Sequence, residues 1–345
     1  MLHASSSMVN PKDRDLDSVV TKAICSLFWE CECLHDIKTF LRTYSYADSG
    51  AHCYTGLIKM SQFVRIGVLK AGCIGTLPLL EFLLDERAER TDIDVRVIGS
   101  GAKLGLEQCR EITNLMIQQK PDLVILIGPA QASPGPCEAR RILAGAGMPT
   151  VVISDGPTKK LAKEIEEKGL GYLILDGDPM IGARREFLDP TEMALFNSDV
   201  LRVLAITGTF NLVVKEIDKM IESIKRGEKP QLPRVIVDGE KALEAAEFAN
   251  PYARVKARAA YEIATHVSRV NAEACFRVTD WMAYVPLVAT GHEMIRAAAK
   301  LCQEARETEK SADSVLREPH FNNGSRGKKR ALIEKPKKTQ ESISL

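Results

Sequence analysis

From residue 64 onward, short blocks of β-branched and aliphatic residues alternate with longer stretches whose apolar positions recur every three or four residues. The blocks are Val64–Leu69, Asp94–Ile98, Leu123–Ile127, Thr150–Ser154 and Gly171–Leu175. Their length and composition predict strands. The stretches between them, Thr76–Glu89, Leu106–Gln119, Cys137–Ala146 and Lys159–Lys168, carry a helical period. This alternation predicts an α/β fold, a parallel sheet with helices on both faces, because each crossover must return the chain to the same edge of the sheet.

After Pro179 the pattern changes to a mainly helical bundle region. Asp189-Pro190-Thr191-Glu192 reads as a helix start, with Asp189 as its cap; Asn250-Pro251 opens a second helix. Thr290-Gly291-His292-Glu293 has the form of a capping box and predicts that the last helix begins there and runs to about Glu309. Strand-like pieces at Arg234–Asp238 and Tyr284–Val288 interrupt the helices. The expected division is an α/β cofactor-binding domain over 63–180, the helical region over 181–310, and a C-terminal segment over 311–345. Lys328, Lys329, Arg330, Lys335, Lys337 and Lys338 crowd that segment, and its end reads as a solvated, disordered tail. Residues 1–62 are atypical, with scattered cysteines and aromatics and no sustained period. Met60 leads directly into the first strand, so a native start at Met60 is expected, the preceding residues being an over-extended reading frame or a leader; a small helical appendage over Leu16–Tyr44 is the alternative.

The composition fits this architecture: 45% of the 345 residues are apolar and only 6% aromatic, so the core is aliphatic. Lys plus Arg (47) balances Asp plus Glu (46), which argues against a nucleic-acid partner and makes any anion recognition local. No apolar run approaches a membrane span, and no secretory h-region is present. The nine cysteines form no CxxC pair, so reduced thiols and a cytoplasmic location are expected. Cys25, Cys31, Cys33 and Cys53 lie near His35 and His52, but their spacing matches no standard zinc pattern, and no metal is expected.

Three of the strands run into Gly- or Pro-rich turns: Ala71 to Thr76, Gly128 to Pro136, and Asp155-Gly156-Pro157. In a parallel sheet these turns share the carboxyl edge, where ligands bind and helix N-termini present N–H groups to anions. The candidate cofactor-binding residues are therefore Gly72, Cys73, Gly75 and Thr76 in the first turn, Gly128 and Pro129 in the second, and Asp155 in the third, where a local Asx-turn role competes. G-x-G-x-x-G is absent, as is an acidic residue closing the second strand, so the nicotinamide fingerprint fails; a Walker loop is absent too. Cations near the edge are Lys70, Lys103, Lys159 and the pair Arg184-Arg185, whose forks suit phosphate and carboxylate. Arg184, Arg185 and Lys256 are the substrate-binding candidates.

The same chain carries Leu83-Leu84-Asp85-Glu86-Arg87-Ala88, Gly169-Leu170-Gly171-Tyr172, Gly182-Ala183-Arg184-Arg185-Glu186-Phe187-Leu188-Asp189-Pro190, Asn250-Pro251-Tyr252-Ala253, Val255-Lys256-Ala257, His292-Glu293-Met294 and Val315-Leu316-Arg317. With these, residues Val64 to His320 resemble the coenzyme F420-dependent methylene-tetrahydromethanopterin dehydrogenases of archaea. The resemblance implies reversible hydride transfer between the pterin's methylene bridge and the deazaflavin F420, a homo-oligomer, expected to be a hexamer, and no metal or flavin. Both ligands would be small molecules bearing phosphate and carboxylate groups. Glu186 is then the candidate carboxylate beside the pterin, with an ion pair to Arg184 or Arg185 as its competing role. His292, read as lying in a first helical turn, would be a neutral ring able to donate one hydrogen bond. His266 and His320 have no assigned role. Two rival readings stay open: an NADP-dependent reductase with an atypical phosphate loop, and a non-catalytic ligand-binding module.

Overall fold

The computed structural model describes residues 63–85, 89–179 and 189–338. Six strands, β1 (Val64–Lys70), β2 (Ile93–Gly99), β3 (Leu123–Ile127), β4 (Thr150–Asp155), β5 (Gly171–Leu175) and β6 (Arg234–Val237), form one parallel sheet in the order β2-β1-β3-β4-β5-β6. The central strands β3, β4 and β5 are buried at every position, which is why each reads as an uninterrupted apolar run. Along β3 the side chains still alternate: Leu123, Ile125 and Ile127 join one core, Val124 and Leu126 the other.

Helix α1 (Thr76–Asp85) covers the first face, while α2 (Leu106–Gln118), α3 (Pro134–Gly145) and α4 (Ala162–Glu167) cover the second. The change of face follows from the change of direction along the sheet, since right-handed crossovers put the helices of opposite-going connections on opposite sides. Two boundaries differ from the sequence reading. Helix α3 begins at Pro134, three residues before the expected Cys137, because a proline's missing N–H costs nothing in a first turn. The expected helix Lys159–Lys168 is split into a 3₁₀ segment, Gly156–Leu161, and α4.

Helices α5 (Pro190–Ile206), α6 (Thr209–Lys225), α7 (Gly239–Ala246), α8 (Pro251–Phe276) and α9 (Trp281–Ser311) complete the order. Asp189 caps α5 by accepting from the N–H groups of Thr191 and Glu192, as its motif predicts. The boundary expected at residue 180 does not divide the sheet. Strand β6 joins it beside β5, and α6 buries Val213, Ile217, Met220, Ile221 and Ile224 against the α1 face.

Two expectations in the last helix are corrected. Tyr284–Val288 is helical and Thr290-Gly291-His292-Glu293 lies mid-helix, because α9 starts ten residues earlier at an Asp280 cap. Pro286 sits inside this helix, and the Thr290 hydroxyl donates to the Pro286 carbonyl at 2.8 Å. The tail, expected to be disordered, is held as far as residue 338. Strands β7 (Gly327–Lys328) and β8 (Lys337–Lys338) pair antiparallel. Lys328 meets Glu247 at 2.6 Å, and Arg330 donates to the carbonyls of Ser314 and Glu247 at 2.7 and 2.9 Å. Its charges find partners on the body of the protein, which composition alone does not reveal.

The tail is also anchored at the amino edge. The Thr91 N–H donates to the Asn322 carbonyl at 2.8 Å, and Lys225 bridges Asp92 and the Asn323 carbonyl. Asp92 is buried and takes two hydrogen bonds from Arg90 at 3.0 and 2.9 Å. Burial opposes its charge, but Arg90 and Lys225 outweigh burial and hold its carboxyl below the usual range. We predict that Asp92→Ala destabilises the protein by about 3 kcal/mol or more, since it leaves Arg90 uncompensated. The wild-type share of this stability is present above the ordinary carboxylate range and is lost as pH falls through the lowered value. Urea unfolding at pH 7 and pH 3 checks both; a difference between variant and wild type that persists undiminished at pH 3 would refute the assignment.

Candidate active site

The chain leaves β1 toward β2 and returns across it to β3, so the turns after β1 and β3 diverge at the carboxyl edge. That divergence is the switch point at which open α/β sheets bind ligands. Gly72 has φ +78°, and a Cβ there would lie 3.0 Å from Leu104 and 3.1 Å from Pro129. At Gly128 a Cβ would overlap the Ala71 carbonyl oxygen. The two turns therefore touch through backbone, and Gly72, Gly128 and Pro129 are brought together as the sequence motifs suggest. Cys73 lies in the same turn; burial first, then the charge of Asp178, pushes its thiol up and keeps it protonated at neutral pH.

The second turn is clamped from beneath. The Gly128 carbonyl accepts from Ser154 Oγ at 2.8 Å and from Gln131 Nε2 at 3.1 Å. The guanidinium of Arg140, fully buried, donates to the Gln131 carbonyl and side-chain oxygen at 2.7 and 2.8 Å. Asp155 belongs to this network rather than to a ligand surface: it is buried and accepts from the Ser154 and Thr158 hydroxyls at 3.3 and 3.4 Å. Burial pushes its carboxyl up to about 6, against those hydrogen bonds.

Gly75 and Thr76 are engaged by a residue that the motifs did not single out. Asp178, at the exit of β5, is fully buried, and its Oδ1 accepts from the Gly75 N–H at 2.8 Å. Its Oδ2 accepts from the Thr76 N–H at 2.8 Å and hydroxyl at 2.6 Å. The N-terminus of α1, expected to receive a ligand anion, thus receives a carboxylate from within the chain. Burial pushes Asp178 up to about 7 despite these three donors, and the nearby Asp155 adds to the rise. A signal was available in sequence: Asp-Gly-Asp-Pro directly after a strand places carboxylates at the sheet edge.

The candidate cations separate. Lys70 meets Glu81 and Lys159 meets Asp176, each at 2.8 Å. Lys103 is exposed. Lys256 meets Glu304 at 2.7 Å on the outer side of α8 and α9. Arg184, Arg185 and Glu186 lie outside the described residues, between Pro179 and Asp189. His292 is not in a first turn as expected. It is buried mid-way along α9, its ring stacked on Phe196 with centroids 4.3 Å apart, and its Nδ1 is 3.8 Å from Glu192 Oε2. Burial, rather than a helix dipole, lowers its pKa, while Glu192 pulls the other way. Glu192, Phe196 and Arg296, which meets Glu192 at 3.7 Å, were not legible as partners in sequence.

Helix α5 links the two clusters. Phe196 stacks on His292, and Val200 and Leu204, one and two turns later on the same face, lie where a Cβ of Gly75 would go. Phe196 and Val200, which carry these two contacts, are about 6 Å apart along the α5 axis, one helical turn. A hollow of 670 Å³ bordered by His266, Arg269, Glu273 and Arg277 lies on α8 and shares none of these residues. Among the described residues no group of three or more His, Cys, Asp or Glu could hold a metal ion, and no helix is long and apolar enough to cross a membrane.

A doubly wound α/β fold with glycine turns meeting at its switch point, and a helical layer closing over them, defines a cofactor-handling enzyme of the open-sheet class. Residues 64–337 match the family described as methylene-5,6,7,8-tetrahydromethanopterin dehydrogenase, and the chain belongs to that family. It is 53% identical over 274 residues to the F420-dependent methylenetetrahydromethanopterin dehydrogenase of Methanocaldococcus jannaschii, covering 79% of this chain and 99% of that protein. It is 53% identical over 273 residues to the Archaeoglobus fulgidus protein of the same name, with the same coverage. A solved structure of F420-dependent methylene-tetrahydromethanopterin dehydrogenase, in complex with methylene-tetrahydromethanopterin and coenzyme F420, superposes with a TM-score of 0.77. It is 44% identical and covers 80% of this chain and 100% of that one.

Stability should follow Asp178. Its raised value means that ionising it costs stability: the unfolding free energy is highest below about pH 4 and declines as pH rises through about 7, the hydrogen bonds from Gly75 and Thr76 to the carboxylate limiting the loss. Asp178→Asn, which cannot ionise, should flatten the decline of unfolding free energy between pH 5 and pH 8, as measured with urea. An unchanged slope in the variant would assign the decline to other groups.

Proposed function

We propose that this chain transfers a hydride reversibly from the methylene bridge of tetrahydromethanopterin to the deazaflavin of coenzyme F420. The products are the methenyl cation and, with a proton taken from solvent, reduced F420. Family membership carries this reading: the match runs over 64–337, and relatives of that activity are matched over 99% of their length.

Direct hydride transfer asks the protein to hold two ring systems face to face at reacting distance, with no nucleophile and no base acting on the donor carbon. The backbone surface at Gly72, Gly128 and Pro129 is our candidate wall for the deazaflavin. Arg184 and Arg185 are assigned to the phosphate or carboxylate ends of the ligands, for which guanidinium forks are suited. Glu186 is assigned to the charge that develops on the methenyl carbon. His292, neutral through burial, is a candidate hydrogen-bond donor; Lys256 would have to exchange Glu304 for a ligand carboxylate. We also propose a homo-oligomer, a hexamer by analogy with the family. Phe276, Trp281 and Met282 are 67%, 58% and 69% exposed at the α8–α9 turn, and exposed large apolar side chains of this kind mark association surfaces.

Mixing the full chain anaerobically with methylene-tetrahydromethanopterin and F420 should bleach the visible absorbance of the oxidised deazaflavin, with no reaction when NADP replaces F420. A folded protein that bleaches neither would leave only the binding-module reading. In the same assay Arg185→Ala should raise one substrate's KM about tenfold, the value of one charge-assisted contact, with little change in Tm. Unaltered KM values for both substrates would remove Arg185 from the site. Light scattering should give six chains per particle, and a monodisperse monomer would refute the oligomer.

A further inference from the structure

In dinucleotide-binding folds, the N–H groups of the turn after the first strand receive the cofactor's pyrophosphate at the amino end of the following helix. Here two of those donors, the N–H groups of Gly75 and Thr76 at the start of α1, are already taken. Both oxygens of Asp178 are hydrogen-bonded at that position, to the Gly75 N–H and to the Thr76 N–H and hydroxyl, at 2.8, 2.8 and 2.6 Å. The carboxylate is 0% exposed. Val200 and Leu204 of α5 pack over Gly75 beside the carboxylate. Pro179 follows directly and holds the Asp178 backbone away from helical conformations, so the carboxylate is presented from a restricted segment.

We propose that Asp178 is a positioning residue that fills the pyrophosphate place with the chain's own carboxylate, holding the first turn in shape while denying it to a nicotinamide dinucleotide. It is thereby a determinant of cofactor choice. A carboxylate offers two acceptor oxygens to three converging donors, as a phosphate would, and its charge complements the positive end of α1. A dinucleotide would have to displace a buried group held by three hydrogen bonds, against the covering side chains of α5. The phosphodiester of the deazaflavin must then be held elsewhere along the carboxyl edge. The inference rests on the F420 reading for the identity of the accepted cofactor, though not for the closure itself.

The test uses the full chain at pH 8 and removes the carboxylate with Asp178→Ser. Formate, a carboxylate of matching size, should raise the Tm of this variant saturably, and should leave the wild type unmoved against chloride at equal ionic strength. In chloride the variant's KM for F420 should rise about tenfold with kcat little changed, because the first turn, part of the candidate wall for the deazaflavin, loses the group that holds its shape; formate should restore it. If the variant does not fold in chloride, formate-dependent refolding is the same rescue. Adding Val200→Ala opens the cover, and inorganic pyrophosphate should then stabilise the double variant where it does not stabilise the wild type. A Tm and KM indifferent to formate, or a folded double variant indifferent to pyrophosphate, would overturn the proposal. The Tm measurements judge Asp178 even if the wild type fails to reduce F420, so the two readings fail separately.

Discussion

The hydrogen bonds from Gly75 and Thr76 to Asp178 join two parts of the molecule that are far apart in sequence. They tie the turn after β1 to the exit of β5, 103 residues apart, and do so beneath α5. A buried carboxylate without these donors would be prohibitively costly, so the turn and the exit of β5 must be correct together or not at all. The sheet sets their spacing and α5 sets their cover.

A second buried charge does the same for the opposite wall of the crevice. Arg140 reaches Gln131, which reaches Gly128, whose carbonyl is shared with Ser154 of β4. Networks of this kind are demanding because an unpaired member in a low-dielectric interior is penalised heavily. They make both turns rigid before any ligand arrives. That suits a reaction that needs two rings aligned more than it needs a reactive side chain.

How far the sequence could be read depends on the range of the interactions involved. Strands β1 to β5 and the helices between them were legible because their pattern is local: an apolar run buried on both faces and a helical stripe each announce themselves within about ten residues. The start of α9 was misread because Tyr284–Val288 is rich in residues that favour strands and Thr290 to Glu293 mimics a cap. Packing on α8 overrides both. The tail was misread because its lysines and arginine look solvated until Glu247 and the Ser314 carbonyl are seen beside them. Asp155, read as a cofactor-binding candidate, is a buried acid inside a hydroxyl network, and His292, read as lying in a first helical turn, is a buried ring on Phe196.

By itself, the sequence determined the class of fold and, through its ordered motifs, the family. Each of these is written in short-range periodicity or in consecutive residues. Tertiary structure alone decided which of the candidate groups are available to a ligand. Lys70, Lys159 and Lys256 are paired with acids, and the amino end of α1 is filled by Asp178, because electrostatic and hydrogen-bond partners are chosen by distance in space, over separations that no local pattern records.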